Sequence, residues 1–365
     1  MIKGWRQEAV SGGRVLVVGA GTTGNEVIKN LALTGVGEIS VLDSDVVEEV
    51  NLNRCVLFRA EDIGKSKSET AARRAKEIAP GITTRGWNRD VVYDFGSLEY
   101  SSFDCVVLTV DNLEARLWVN RYCRLHGTPL VDTGIGGLVS SVFVATPSGA
   151  CIECSWTKRE YQQLWERHSC SKIGMLPDEP KIPMVITSGA IAGGIAAQEC
   201  IKILHLKHSG PSARSSVFFW FDGENGAFLT WEVPRKENCP AHVPPPDKSK
   251  VLLESLLDDD VLSIKNRLRA ALGCSEVEVR HDKQIVYSVV CRGCGGSHTI
   301  QPCLLGKFLR SCCPACGALA VVPDKYTEEL EDGYSLRSLH IPPNHLIRVL
   351  FSKGNTVGEA WIASR

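Results

Sequence analysis

Net charge is nearly absent from this sequence: 41 Lys and Arg face 42 Asp and Glu, a formal charge of -1 over 365 residues. A protein that covers a long stretch of phosphate backbone carries a basic excess, so a large nucleic-acid-binding surface is not indicated. Also missing is an unbroken apolar run long enough to cross a bilayer. The most apolar stretch, residues 185–204, is interrupted by Ser188, Gln198, Glu199 and Lys202, and it reads as a buried helix. The opening residues, MIKGWRQ, lack the apolar core of a secretory signal. No internal repeat and no low-complexity tract is present. These absences set the expectation of a globular, cytoplasmic protein with neither nucleic acid nor membrane as a partner. The length favours two domains.

Cysteine, by contrast, is abundant, at fifteen residues. Without a signal peptide they argue for thiol or metal chemistry in a reducing compartment, not for a disulfide framework. Seven fall in short paired spacings. The others are Cys55, Cys105, Cys123, Cys170, Cys200, Cys274, Cys303 and Cys312, and most of them read as small buried apolar residues.

Residues 14–18 (RVLVV) form a short buried strand that runs straight into Gly19-Ala-Gly21-Thr-Thr-Gly24. Helical spacing follows over 25–34, Gly35-Val-Gly37 ends it, and 38–42 is a second strand. That is a complete βαβ unit of an α/β sheet. A polar-faced helix over 65–78, a strand over 105–110, a helix over 113–125 and a strand over 129–132 continue the pattern. Residues 216–233 read as a hairpin turning at Glu224-Asn-Gly226. Residues 234–250, rich in proline and charge, are the best linker, and 252–272 has a helical pattern.

A Gly-x-Gly-x-x-Gly between strand and helix aims backbone N–H groups and a helix N-terminus at phosphate. Asp43 ends the next strand, where a carboxylate takes ribose hydroxyls. To this point a dehydrogenase and a triphosphate enzyme fit equally. The residues that follow shift the balance: Asp45, then Asn51 with Arg54 three residues on, then Lys67. Two cations and an amide suit a triphosphate better than a bridging pyrophosphate. Asp111-Asn112 follows a strand end, where a carboxylate can hold the Mg²⁺ a triphosphate needs. The bland alternative is that these are helix caps and surface ion pairs.

The segments GAGTTGNEVIKNLALTGVG, VLDSDVVEEVNLNRCVLF, DIGKSKSETAA and VDNLEARLWVNRYC closely resemble the adenylating domain of ubiquitin-activating enzymes and their bacterial sulfur-carrier-activating relatives. The resemblance implies a Rossmann-like, mostly parallel sheet with Gly19, Gly21 and Gly24 at ATP. It further implies Asp43 on ribose, Asn51, Arg54 and Lys67 on the phosphates, and Asp111 on magnesium. The implied reaction is adenylation of a protein's C-terminal carboxylate, usually a glycine. In the family an N-terminal arginine often reaches ATP from a partner subunit. Arg6 is the nearby match here, and it sits closer to the first strand than in the sulfur-carrier enzymes.

Cys170, in RHSCSKIGM, precedes a proline-rich segment. A thiol there could attack an acyl adenylate and hold the product as a thioester, with His168 and Lys172 favouring the thiolate. A buried or incidental cysteine is the alternative. SCSKIGMLP resembles the catalytic-cysteine segment of eukaryotic activating enzymes, and residues 181–198 resemble their crossover segment. The large catalytic-cysteine insertion of those enzymes is missing.

Cys151-x-x-Cys154 and Cys239-x-x-His242 offer three thiolates and one imidazole, a closed set suited to structural zinc. Their separation weakens spacing as an argument, but ACIEC and RKENCPAH resemble the family's zinc knuckles, with His242 where a fourth Cys is usual. Cys291-x-x-Cys294 and Cys313-x-x-Cys316 form a zinc-ribbon pattern, with Cys312 an adjacent competitor for Cys313.

The expected architecture is therefore an adenylation domain over residues 1–245, with the catalytic-cysteine and crossover segment at about 155–183. A smaller α+β domain over 246–365 follows, with the zinc ribbon at about 289–318. By resemblance the second domain is β-grasp, ubiquitin-fold-like, and recruits a conjugating enzyme; residues 334–341 and 347–351 suit its last helix and strand. An unrelated zinc module is the alternative. The expected cofactors are ATP, Mg²⁺ and two structural Zn²⁺, and the expected substrate is a ubiquitin-like protein with a C-terminal glycine. A whole active site in one chain suggests a homodimer, and compact size leans toward a prokaryotic pathway. The competing functions are adenylation for sulfur transfer without a thioester, and a non-catalytic scaffold subunit.

Overall fold

Four apolar residues behind an exposed arginine, Arg14–Val18, form β1, and the valines and leucine are fully buried. The computed structural model describes residues 4–168, 185–207, 214–242, 251–308, 313–317, 321–353 and 356–365. After a short helix α1 (Gln7–Ser11), β1 leads into α2 (Thr22–Thr34), then β2 (Glu38–Leu42), α3 (Lys67–Ile78) and β3 (Thr83–Trp87). The chain then returns through β4 (Cys105–Leu108), α4 (Leu113–His126), β5 (Leu130–Gly136) and β6 (Val139–Ala145). Short helix α5 (Ile152–Ser155), then α6 (Lys158–His168) and α7 (Ile186–Leu204), precede the hairpin β7 (Val217–Asp222) and β8 (Ala227–Glu232).

The strands form one sheet in the order β3-β2-β1-β4-β5-β6-β7-β8. Pairings from β3 to β5 are parallel and those from β5 to β8 antiparallel. Successive crossovers carry the chain from β1 out to β3 and then back to β4 on the other side of β1. The strand order therefore reverses between β1 and β4, and in such sheets the crevice for ligands opens at the carboxyl ends of those strands. The apolar stretch 185–204 is a helix as expected, and no helix among the described residues is long and apolar enough to cross a membrane. On α7, Gly189 and Gly193 face Thr22 and Glu26, where a Cβ would come within 2.5 Å and 2.6 Å of those side chains. The two glycines let α7 lie close against α2.

The second unit gathers the described residues of Tyr93–Leu98, Thr157–Glu179 and Pro246–Arg365. It contains α6. Its sheet is built from β9 (Val251–Ser255), β10 (Glu276–Cys291), β11 (Ser297–Leu304), β12 (Val321–Glu329), β13 (Leu346–Lys353) and β14 (Thr356–Ser364). Helix α8 (Val261–Leu272) packs Val261, Ile264 and Leu268 on the sheet, and a single turn, α9 (Leu305–Phe308), follows β11. The order is β11-β10-β13-β14-β9, with β12 also on β10, and only β9–β14 is a parallel pair.

Two expectations fail here. Residues 252–255 are not the start of a helix: they pair with β14, and α8 begins only at Val261, capped by Asp260, whose carboxylate accepts the Ser263 N–H at 3.1 Å. Residues 334–341 are turns instead of a helix, and β13 is followed by another strand. The segment at 93–98 is tied into this unit by several bonds. Ser97 N–H donates to His345 Nδ1 (3.2 Å), Leu346 N–H donates to Ser97 Oγ (3.1 Å), and Leu98 N–H donates to the Asn344 carbonyl (2.8 Å).

Candidate functional site: a glycine-loop cleft and two thiolate clusters

The glycine loop leaves β1 at Gly19, whose φ of +96° is open to glycine without strain and whose N–H donates to the Leu42 carbonyl at 2.8 Å. A Cβ on Gly24 would lie 2.1 Å from the Gly19 carbonyl oxygen, so helix α2 can follow the loop this closely only with glycine there. Gly21 is different. A Cβ on it would meet nothing within 4 Å, so the loop backbone here fronts open space, as an approach to phosphate requires.

Three side chains fix the loop. Asp43, at the end of β2, accepts the Ala20 N–H at 2.6 Å and the Asp45 N–H at 2.8 Å. Burial raises its pKa, and the two backbone donors and Lys67 only partly offset that. Thr109, beyond β4, donates its hydroxyl hydrogen toward the Gly19 and Val18 carbonyls, at 2.8 Å and 3.0 Å. Asn25, fully buried on α2, donates to the Ala20 and Gly21 carbonyls at 2.7 Å and 3.0 Å and accepts the Leu57 N–H at 2.9 Å. Neither Asn25 nor Thr109 was picked out from the sequence.

The structure brings much of the polar set to this cleft. The buried Cys55 thiol has Arg54, Lys67, Thr22 and Asp43 as its electrostatic and hydrogen-bonding neighbours. Lys67, the first residue of α3, reaches Asp45 at 2.8 Å. Burial pulls its pKa down, but Asp45 and Asp43 outweigh that and leave it raised, so the ammonium stays charged. The Thr22 hydroxyl is buried on the first turn of α2 with the Cys55 thiol beside it and no stronger partner. Asp111 is exposed where β4 gives way to α4.

Two residues have the structural roles that the bland alternative gave them. Asn112 is the N-cap of α4, its oxygen accepting the Ala115 N–H at 2.8 Å. Asn51 uses its oxygen to accept the Glu48 N–H at 2.9 Å and so closes a tight turn. Arg54 donates to the Val50 carbonyl at 2.9 Å, an exposed bond. Arg6 precedes α1, where its N–H donates to His205 Nε2 at 3.2 Å. Cys170, its neighbours His168 and Lys172, and residues 181–183 lie outside the described side chains.

Both cysteine-rich sets come together. Cys151 Sγ is 3.9 Å from Cys154 Sγ and 3.6 Å from Cys239 Sγ, and Cys154 Sγ is 3.5 Å from His242 Nε2. Four ligands on one tetrahedral zinc lie about 3.8 Å apart for two sulfurs and about 3.6 Å for sulfur and nitrogen, so the donor set fits. α4 holds the knuckle from behind: Arg121 and Asn120 bind the buried Glu153 carboxylate at 3.0–3.1 Å, and Asn120 also accepts the Ile152 N–H at 3.0 Å. Arg235 Nε donates to His242 Nδ1 at 3.0 Å. A histidine that gives its Nε2 lone pair to zinc carries its proton on Nδ1, so Arg235 must turn away when the metal is bound. In the second set, Cys291 Sγ is 3.6 Å from Cys316 Sγ and Cys294 Sγ 3.9 Å from Cys313 Sγ, which again fits zinc. Cys312 lies outside the described residues.

A strand-order reversal, a glycine loop ending in a helix, and acids and cations beside that loop define a Rossmann-like α/β protein with its cleft at the glycine loop. The chain belongs to the ThiF family, whose model matches residues 2–241. It is similar to the SUMO-activating enzyme subunit uba-2 of Caenorhabditis elegans, 36% identical over 155 residues, 41% of this chain and 26% of that protein. It is also similar to the NEDD8-activating enzyme E1 catalytic subunit of the same organism, 36% identical over 162 residues, 40% of this chain and 37% of that protein. The aligned part is thus well under half the length of these relatives. Among solved structures, Escherichia coli MccB with ATP superposes with a TM-score of 0.54 at 22% identity, covering 65% of this chain and 68% of that one. That likeness shows the shared fold.

Proposed function

We propose that this chain uses ATP and Mg²⁺ to adenylate the C-terminal carboxylate of a ubiquitin-like protein and then takes the acyl group onto Cys170 as a thioester. The observation that carries the proposal is the linked set at the glycine loop: Asp43 holds the Ala20 N–H at 2.6 Å and the Asp45 N–H at 2.8 Å, and Asp45 pairs with Lys67 at 2.8 Å. Its family relatives activate such proteins by name, which supports the substrate class.

In this reading the Gly21 backbone and the first turn of α2 receive the phosphates, with the Thr22 hydroxyl a further donor. Asp43 keeps the loop in place and presents its remaining lone pairs to ribose. Lys67, held charged by Asp45, and Arg54, released from Val50, neutralise the phosphates as a carboxylate oxygen attacks the α-phosphorus and pyrophosphate leaves. Asn51 holds the turn that carries Arg54, and Asp111 supplies an exposed carboxylate for magnesium. The Cys170 thiolate then attacks the acyl carbon and AMP leaves. The two thiolate clusters hold structural zinc, the C-terminal unit recruits a conjugating enzyme, and the active species is a homodimer.

The test is incubation with ubiquitin-like proteins, ATP and Mg²⁺, followed by intact mass. A thioester on the wild type that is absent from Cys170→Ala is expected. Pyrophosphate exchange without any thioester would replace this reading with simple adenylation for sulfur transfer. Exchange unchanged in Asp111→Ala would remove the catalytic reading.

A further inference from the structure

An imidazole lies against one sulfur of the second thiolate cluster, beside the four donors that come together there. His298, on β11, places its Nε2 3.2 Å from Cys294 Sγ, a hydrogen-bonding contact, so a ring that turns toward the place of that sulfur has a short way to go. Nothing in the spacing of the four cysteines calls for this residue. Its approach depends on Gly296, where a Cβ would stand 2.9 Å from His298 Nε2. The four cysteines are unequal: Cys291 and Cys313 are buried, whereas Cys294 and Cys316 are exposed. The imidazole therefore lies beside one of the two thiolates that solvent reaches.

We infer that His298 is the reserve ligand of the ribbon metal, entering through Nε2 when Cys294 leaves, so that the site passes from four thiolates to three thiolates and an imidazole without losing its ion. While Cys294 is bound, the His298 Nε2–H donates to its thiolate. When Cys294 is gone, the ring presents the other tautomer, with the proton on Nδ1 and the Nε2 lone pair on the metal. The exchange lowers the negative charge of the zinc site by one unit. An exposed thiolate is the point at which an oxidant or electrophile attacks a zinc ribbon. A neighbouring imidazole lets the fold survive that loss.

The inference rests on the ribbon being a zinc site, and metal stoichiometry separates the two claims. Full-length wild type is expected to bind two equivalents of Zn²⁺ or Co²⁺, one per cluster. Binding of one equivalent only, with Cys291→Ser leaving it unchanged, would overturn the ribbon itself. Cys294→Ser is expected to keep two equivalents, with the thiolate-to-cobalt charge-transfer intensity of the ribbon lower by about one quarter. The ¹⁵N resonance of His298 Nε2 is expected to shift on addition of Zn²⁺. Cys294→Ser with His298→Ala is expected to fall to one equivalent. If Cys294→Ser alone falls to one, or the double variant keeps two, the reserve role is wrong. His298→Ala, which leaves all four thiolates in place, is expected to release the ribbon zinc to a chelator several-fold faster than wild type. Release at the wild-type rate would also overturn the inference.

Discussion

Asn25→Ala should do more damage than any other single truncation near the glycine loop. The amide is fully buried and joins three backbone groups: the Ala20 and Gly21 carbonyls and the Leu57 N–H. The Gly21 carbonyl keeps a second donor, the Asn25 N–H at 2.9 Å. Alanine therefore orphans two buried groups, the Ala20 carbonyl and the Leu57 N–H. At about 1–3 kcal/mol for each buried unsatisfied group, the expected destabilisation of the first unit is about 2–6 kcal/mol. Two measurements follow it. The melting temperature of the first unit should fall by roughly 4–24 °C, taking about 2–4 °C per kcal/mol for a domain of this size. Hydrogen exchange at the Leu57 amide should lose its protection ahead of the strand amides of β1. Because the same side chain sets the Ala20–Gly21 backbone, ATP affinity should weaken about 10-fold or more, roughly 1.4 kcal/mol. Asn25→Asp keeps an acceptor for Leu57 but turns an oxygen onto two carbonyls, and it should rescue neither stability nor affinity. Stability within about 1 kcal/mol of wild type, together with unchanged ATP titration, would refute the reasoning.

Gly24→Ala places a Cβ 2.1 Å from the Gly19 oxygen and 2.9 Å from Thr109 Oγ1, so ATP binding by calorimetry should drop about 100-fold as the loop rebuilds. Lys67→Ala breaks a pair whose Asp45 side chain is 67% exposed, so stability should change by less than about 1 kcal/mol, while pyrophosphate exchange falls about 100-fold or more. Burial lowers the pKa of His281 to about 4 despite Asp282. The folded value lies below the ordinary histidine value of about 6.5, so the unfolded chain binds the extra proton in between. The second unit should hold its full His281 contribution above about pH 6.5 and lose up to about 3 kcal/mol as pH falls toward 4. Urea midpoints at pH 7.5 and pH 5 measure this, and His281→Gln should flatten the difference.

The first βαβ unit and its loop were legible because their signals are local: a short apolar run, three glycines and a helical period within about twenty residues. The ribbon quartet was legible for the same reason. What escaped depended on distant partners. Val251–Ser255 is a strand only because β14, more than a hundred residues later, pairs with it. Asn25 looks like an ordinary helix residue until Leu57 is brought against it, 32 positions on. Asn51 and Asn112 admit two readings because a side-chain amide can accept a backbone N–H with its oxygen and still offer its NH2 to a phosphate, and sequence does not say which backbone N–H lies near that oxygen.

The segment Tyr93–Leu98 sits early in the chain yet belongs to the unit completed at the other end, with Ser97 and His345 248 positions apart. A ribosome adding about 5–20 residues per second needs roughly 12–50 s to cover that distance. Through that interval the first unit can close around its own strands while Ser97 waits for its acceptor. A gene cut at the linker would part Ser97 from His345 and yield two incomplete pieces. Expression of residues 246–365 alone should therefore give a less stable product than the same residues within the whole chain.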